Sequence, residues 1–179
     1  MENGLSLADP ARADNIHKFR KEEIMAESIN NEEVVKNLKN VINSLEDGQK
    51  GFSDLAEHLK DVRLKEFFLA ESLKRASFRG DLENELHRAG VHDVKETGTV
   101  AGALHRVWGD IKLKVTSGDH EVLATAEQGE DAAKKAYADA LEQPLPLPIK
   151  QILTTQQAHI ISSHNFVRDQ RDALATVSK

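Results

Sequence analysis

The chain has 179 residues, 39% hydrophobic, 30% charged and only 4% aromatic, a balance that supports one domain with a real core and excludes a disordered chain. A formal net charge of −6 repels phosphate backbones, so nucleic acid is not an expected partner. The lack of cysteine excludes disulfides, thiolate zinc sites, iron–sulfur clusters and thiol nucleophiles; no apolar run suits a signal peptide or a membrane span, so the expected address is the cytoplasm.

Residues 1–30 read as an N-terminal extension, in which Ile16, Phe19, Ile24 and Met25 could form a short amphipathic helix. The first long helix is expected from Asn31, a favourable cap followed by Glu32 and Glu33 at the positive end of the helix dipole. Its apolar stripe is Val34, Leu38, Val41, Leu45, Phe52, Ala56 and Leu59, at helical steps of three, four and seven. Gly48 and Gly51 fall inside it, where they lower helix propensity but let a neighbour come close. Asp61 is the expected cap of a second helix with the stripe Leu64, Phe67, Phe68, Glu71, Arg75, Phe78, Leu82 and Leu86, ending near Gly90. The turn between the two is short, so they are antiparallel neighbours.

After a polar loop, Val100, Leu104, Trp108, Ile111 and Val115 mark a shorter helix in the crossover. Ser117 and Gly118 break it, and Asp119 is the expected cap of a third long helix carrying Val122, Ala126, Ala133, Tyr137, Ala140 and Leu141. The segment from Gln143 to Pro148 is a connector. A fourth helix follows from about Pro148, a favourable first-turn residue, with the stripe Ile149, Leu153, Ile160, Val167 and Leu174. Two hairpins joined by one long crossover form an all-α four-helix bundle of the ferritin-like kind, spanning residues 31–179.

Ferritin-like carboxylate proteins hold two metals with a glutamate from each of two helices and a Glu-x-x-His from each of the other two. Here Glu130, with Tyr137 seven residues later, faces inward on helix 3, but the equivalent position of helix 1 is Leu45. Asp47 projects to the opposite side and does not replace it. Helix 2 has Glu71 followed by Lys74 and Arg75 in place of a ligand histidine. On helix 4, Gln157 and His164 share the stripe with Leu153 and Ile160, and His159 lies at its edge. Two readings of these residues stand together. In one, Glu71, Arg75, Glu130, Tyr137, Gln157 and His164 form a buried polar cluster in which the fork of Arg75 pairs Glu71 and Glu130 in place of a metal. In the other, Glu71, Glu130 and His164 hold iron or manganese in a reduced site.

Residues from about 32 to 172 resemble an uncharacterised family of bacterial ferritin-like four-helix-bundle proteins. The resemblance rests on Gly98-Thr99-Val100-Ala101-Gly102-Ala103-Leu104-His105-Arg106 with Trp108, on Glu127-Gln128-Gly129-Glu130-Asp131-Ala132-Ala133 with Lys135-Ala136-Tyr137, and on Asp47-Gly48 with Gly51-Phe52. It implies a ferritin-like bundle and no established activity. The expected role is therefore a non-catalytic bundle acting through its surface or by assembly, for example in a stress response; a metal-binding carboxylate protein is the alternative. A homodimer is the expected assembly, because long bundles often pair along a side.

Overall fold

Four long helices pack against one another in the computed structural model, which describes residue 20 and residues 32–88, 90–91 and 118–177. They are α1 (Glu32–Ala56), α2 (Val62–Arg88), α3 (Asp119–Leu141) and α4 (Leu147–Val177). No strand occurs among the described residues, and no described helix is long and apolar enough to cross a membrane. The N-terminal extension, the cap expected at Asn31 and the crossover helix around Trp108 lie outside the described residues.

The helix ends follow local chemistry. Asp61 caps α2 as its sequence suggests: its Oδ1 accepts the N–H groups of Arg63 at 2.8 Å and Leu64 at 3.3 Å, two of the donors that a helix start leaves unpaired. At the other end Gly90 has φ 82°, a left-handed conformation that glycine adopts without strain. This lets Val91 N–H reach the Leu86 carbonyl at 2.9 Å and fold Val91 onto the core, the closing pattern of a Schellman turn. Pro148 sits in the first turn of α4, where its missing N–H has no helical partner.

Asp119 corrects one expectation. It is the first residue of α3, and the cap position is Gly118, at φ 122°. The Asp119 carboxylate instead accepts the N–H of Lys60 at 2.8 Å and of Asp61 at 3.0 Å. It thus ties the start of α3 to the turn between α1 and α2, satisfying two backbone donors that the turn exposes.

The direction of each helix follows from the residues that meet. Val34, Leu38, Val41 and Leu45 of α1 cluster with Leu82 and Leu86 of α2, Ala133, Tyr137 and Ala140 of α3, and Ile149, Leu153 and Ile160 of α4. A second cluster joins Phe52, Leu55, Ala56 and Leu59 with Leu64 and Phe68, Val122, Leu123 and Ala126, and Val167. The start of α1 therefore lies beside the ends of α2 and α3 and the start of α4. Each helix runs antiparallel to both neighbours, and α2 ends at the opposite end of the bundle from where α3 begins. Val91 and Gly118 therefore lie at opposite ends of the bundle, about the length of α2 apart, ~40 Å for its 27 residues.

The two apolar clusters do not merge. Between them Gly48, Glu71, Arg75, Glu130 and Ser163, one or two from each helix, form a level that is polar throughout, and all four of the polar side chains are buried. The core is split at mid-height by this layer.

Candidate functional site

Arg75 is the centre of the layer and is 1% exposed. Its stem passes along α1, where a Cβ added to Gly48 would lie 3.5 Å from Arg75 Cγ, an ordinary contact, so the glycine is not demanded by the packing. The guanidinium carbon lies 5.2 Å from the centre of the Phe52 ring, a cation–π contact strengthened by burial. Nη1 donates to Glu71 Oε2 at 2.7 Å, one turn back on α2. Nη2 donates to Glu130 Oε1 on α3 and, at 3.3 Å, to Ser163 Oγ on α4. Ser163 in turn donates to Glu130 Oε1 at 2.9 Å. One planar fork thus joins three helices.

Glu71 has a further partner. His159 Nε2 lies 3.0 Å from each of its carboxylate oxygens, so the ring presents an N–H there, because an ionised carboxylate only accepts. The His159 side chain is 34% exposed and packs edge-on against Phe78 at 5.3 Å; it connects the buried layer to solvent. Two ionised carboxylates and one guanidinium leave one negative charge, which protonation of Glu130 removes. Burial raises the Glu130 carboxyl above its ordinary range, with Arg75 and Ser163 pulling the other way. Its second oxygen, Oε2, is buried with no hydrogen-bond partner, the one atom of the network left uncompensated.

Tyr137, fully buried, sits one step further into the first apolar cluster. Its hydroxyl donates to Gln156 Oε1 at 2.8 Å, and Gln156 Nε2 donates to the Phe78 carbonyl at 2.9 Å. Burial pushes the phenol well above its usual range, opposed by Arg75 and reinforced by Glu130.

The structure thus brings Glu71, Arg75 and Glu130 into one network, with Tyr137 next to it, and sends the other two candidates elsewhere. Gln157 is only half-buried; the buried glutamine is Gln156. His164 turns toward α3, where Nε2 lies 2.9 Å from Asp131 Oδ1, 3.3 Å from Lys134 Nζ and 3.9 Å from Glu127 Oε1. Glu127 also pairs with Arg171. Among the described residues no group of three or more His, Asp or Glu converges in a way that could hold a metal ion, so Glu71, Glu130 and His164 do not form one ligand set. Asp47 is a further correction: it is buried, because the covered face of α1 is wider than its apolar stripe and includes Ser44, Asp47 and Gly51.

The signal for the missing members was present in α4. Its apolar stripe leaves two gaps of seven residues, between Leu153 and Ile160 and between Ile160 and Val167. A row that has already stepped by four from Ile149 to Leu153 fills each gap three residues on, at Gln156 and Ser163, to keep facing one direction. His159 and His164 then flank the row on opposite sides, which directs one to α2 and the other to α3.

Residues 33–143 match a family described as a domain of unknown function, DUF2383, over more than half of the chain. The chain belongs to this family. The match takes in α1, α2 and α3 and therefore Glu71, Arg75, Glu130 and Tyr137; α4, with Gln156, His159 and Ser163, lies beyond it, short of the 172 that the resemblance was expected to reach. None of the curated proteins compared with the chain matches it.

Proposed function

We propose that this DUF2383 chain is a cytoplasmic, ferritin-like bundle that carries out no metal chemistry of its own, and that its buried ion network does structural work where carboxylate relatives bind metal. The observation that carries the reading is the Arg75 guanidinium joined to both Glu71 and Glu130. A cation already fixed between two carboxylates repels a second one and uses the lone pairs that would bind it. The residues do not fit a two-metal cage in other respects. Leu45 fills the place of one glutamate, helix 2 has Lys74 and not a histidine three residues after Glu71, and His164 faces Asp131.

A charged fork that must find partners on α3 and α4 penalises any sliding of the helices, since a slip leaves it buried and unpaired. On this reading the layer sets register, and the protein acts through its surface or by assembly. The single crossover supports the ferritin-like connectivity.

Elemental analysis of the full chain, purified without chelators or metal-affinity steps, tests the proposal. Iron and manganese well below one per chain are expected, and Fe²⁺ or Mn²⁺ added without oxygen should leave the melting temperature unchanged. Stoichiometric metal that is lost in Glu130→Ala would sink the proposal and favour the reduced carboxylate site.

A further inference from the structure

A cavity of about 410 Å³ lies between the last turns of α2 and the first turns of α4. Its volume falls within the roughly 300–1,000 Å³ of small-molecule sites, far above the share of about 30 Å³ that one water takes in the liquid. Phe78 and Ile152, both half-buried, and the buried amide of Gln156 line its inner side. Toward solvent, α2 places Asp81, Asn84 and Arg88 along it at helical steps of three and four, and α4 places Gln151 and Thr155 one turn apart.

Most of the polar side chains at the opening are unpartnered. Among the described residues no ion pair or hydrogen bond engages the side chains of Asp81, Asn84, Gln151 or Thr155, whereas Arg88 Nη1 pairs with Glu85 at 2.7 Å. Of the charged groups that line the cavity, the Asp81 carboxylate alone is left uncompensated. An ionised carboxylate only accepts hydrogen bonds, and an ammonium gives it the strongest of them. Asn84, Gln151 and Thr155 are neutral and each can donate or accept.

The neighbouring charges narrow the ligand further. Lys74 stands seven residues before Asp81, 5.7 Å from the Phe78 ring centre, and Arg88 stands seven residues after it. Each separation is about two turns, ~10 Å along the helix. A second ammonium reaching along the groove from Asp81 therefore meets a like charge in either direction. An anion beside the first ammonium meets Asp81 itself.

We infer that this cavity binds a small organic monoamine, with its ammonium on Asp81 and its apolar body on Phe78 and Ile152. Asn84, Gln151 and Thr155 accept the remaining ammonium protons or meet polar groups of the body. The site stands apart from the ion layer, none of whose residues lines it, so metal content does not bear on it and either reading can fail alone.

The test is a heteronuclear NMR titration of the full chain with phenethylamine to about 10 mM, a range that reaches a dissociation constant of about 1 mM. The side-chain amides of Asn84, Gln151 and Gln156 should shift together and saturate, while that of Gln128 on α3 stays still. 2-Phenylethanol, the same body without the charge, should bind roughly tenfold more weakly or worse, and so should phenylalanine, which adds a carboxylate. Asp81→Asn should weaken phenethylamine roughly tenfold and leave the alcohol unchanged, and Thr155→Trp should fill the opening and abolish binding. Both residues are exposed, so helix content should not change. Asp54→Asn on α1, at the other end of the bundle, should bind as the parent does. Cavity amides that do not move at the highest concentration would overturn the inference. So would an alcohol or an amino acid that binds as well as the amine, or an Asp81→Asn chain that keeps the parent's affinity.

Discussion

Replacing Arg75 with alanine removes the guanidinium at the centre of the buried layer. Glu71 keeps His159, at 3.0 Å from both oxygens. Glu130 keeps Ser163 alone on Oε1, at 2.9 Å, and still nothing on Oε2. Taking one partner from a buried ion pair costs about 3–5 kcal/mol, because the remaining charge stays desolvated. The lost contact with the Phe52 ring adds to this, and protonation of Glu130 relieves part of it. A loss of about 4 kcal/mol is expected at neutral pH, a large part of the 5–15 kcal/mol that holds a typical domain together. In a chain of this size it corresponds to a fall of about 8–16 °C in Tm.

The assay is urea denaturation followed by far-ultraviolet circular dichroism, at several pH values. Without Arg75 only the Ser163 hydrogen bond opposes the tendency of burial to keep Glu130 protonated, so the deficit should shrink as pH falls. A second variant separates the value of the network from the penalty of orphaned charge. In Arg75→Met with Glu71→Leu and Glu130→Leu, all three charges go together, and stability should lie within about 1 kcal/mol of the parent or above it. A deficit below about 1 kcal/mol in Arg75→Ala at neutral pH, or one that does not change with pH, would refute the reasoning.

Three further outcomes are expected. Burial holds the Glu130 carboxyl above its ordinary value, so the folded state binds more protons than the unfolded one between the two pKa values. The stability this group contributes is full below its unfolded pKa and is lost as pH rises through its folded one; relative to Glu130→Gln, the wild-type urea midpoint should therefore fall with rising pH, and parallel curves would contradict this. Tyr137, the only tyrosine, is raised by burial, so absorbance near 295 nm should stay flat up to about pH 11 in the folded protein and rise only on unfolding; Tyr137→Phe should cost about 1–2 kcal/mol by stranding Gln156. Asp119→Ala removes the acceptor of the Lys60 and Asp61 N–H groups and should cost about 1–2 kcal/mol, with hydrogen exchange at those two amides accelerating before the rest of α2.

Much of this architecture can be read without coordinates because helices announce themselves through neighbours in the chain. A spacing of three and four residues places apolar side chains on one side, and Asp61, Gly90 and Pro148 mark ends through local chemistry. Buried Glu71, Arg75 and Glu130 are legible for the same reason, since each falls on a stripe otherwise made of Leu, Phe and Ala. A stripe with gaps is less informative. In α4 it left the choice between Gln156 and Gln157, and between His159 and His164, to a few tens of degrees of helix rotation.

What the sequence determined by itself was the four long helices and the presence of charge at mid-height. Only the tertiary structure decided which groups meet. Periodicity within one helix fixes a direction relative to that helix alone, whereas a hydrogen bond between helices depends on their relative rotation and rise. Those follow from packing the whole core on either side of the polar layer. That is why the carboxylates of α2 and α3 share Arg75, why His159 and Ser163 join them, and why His164 turns to Asp131.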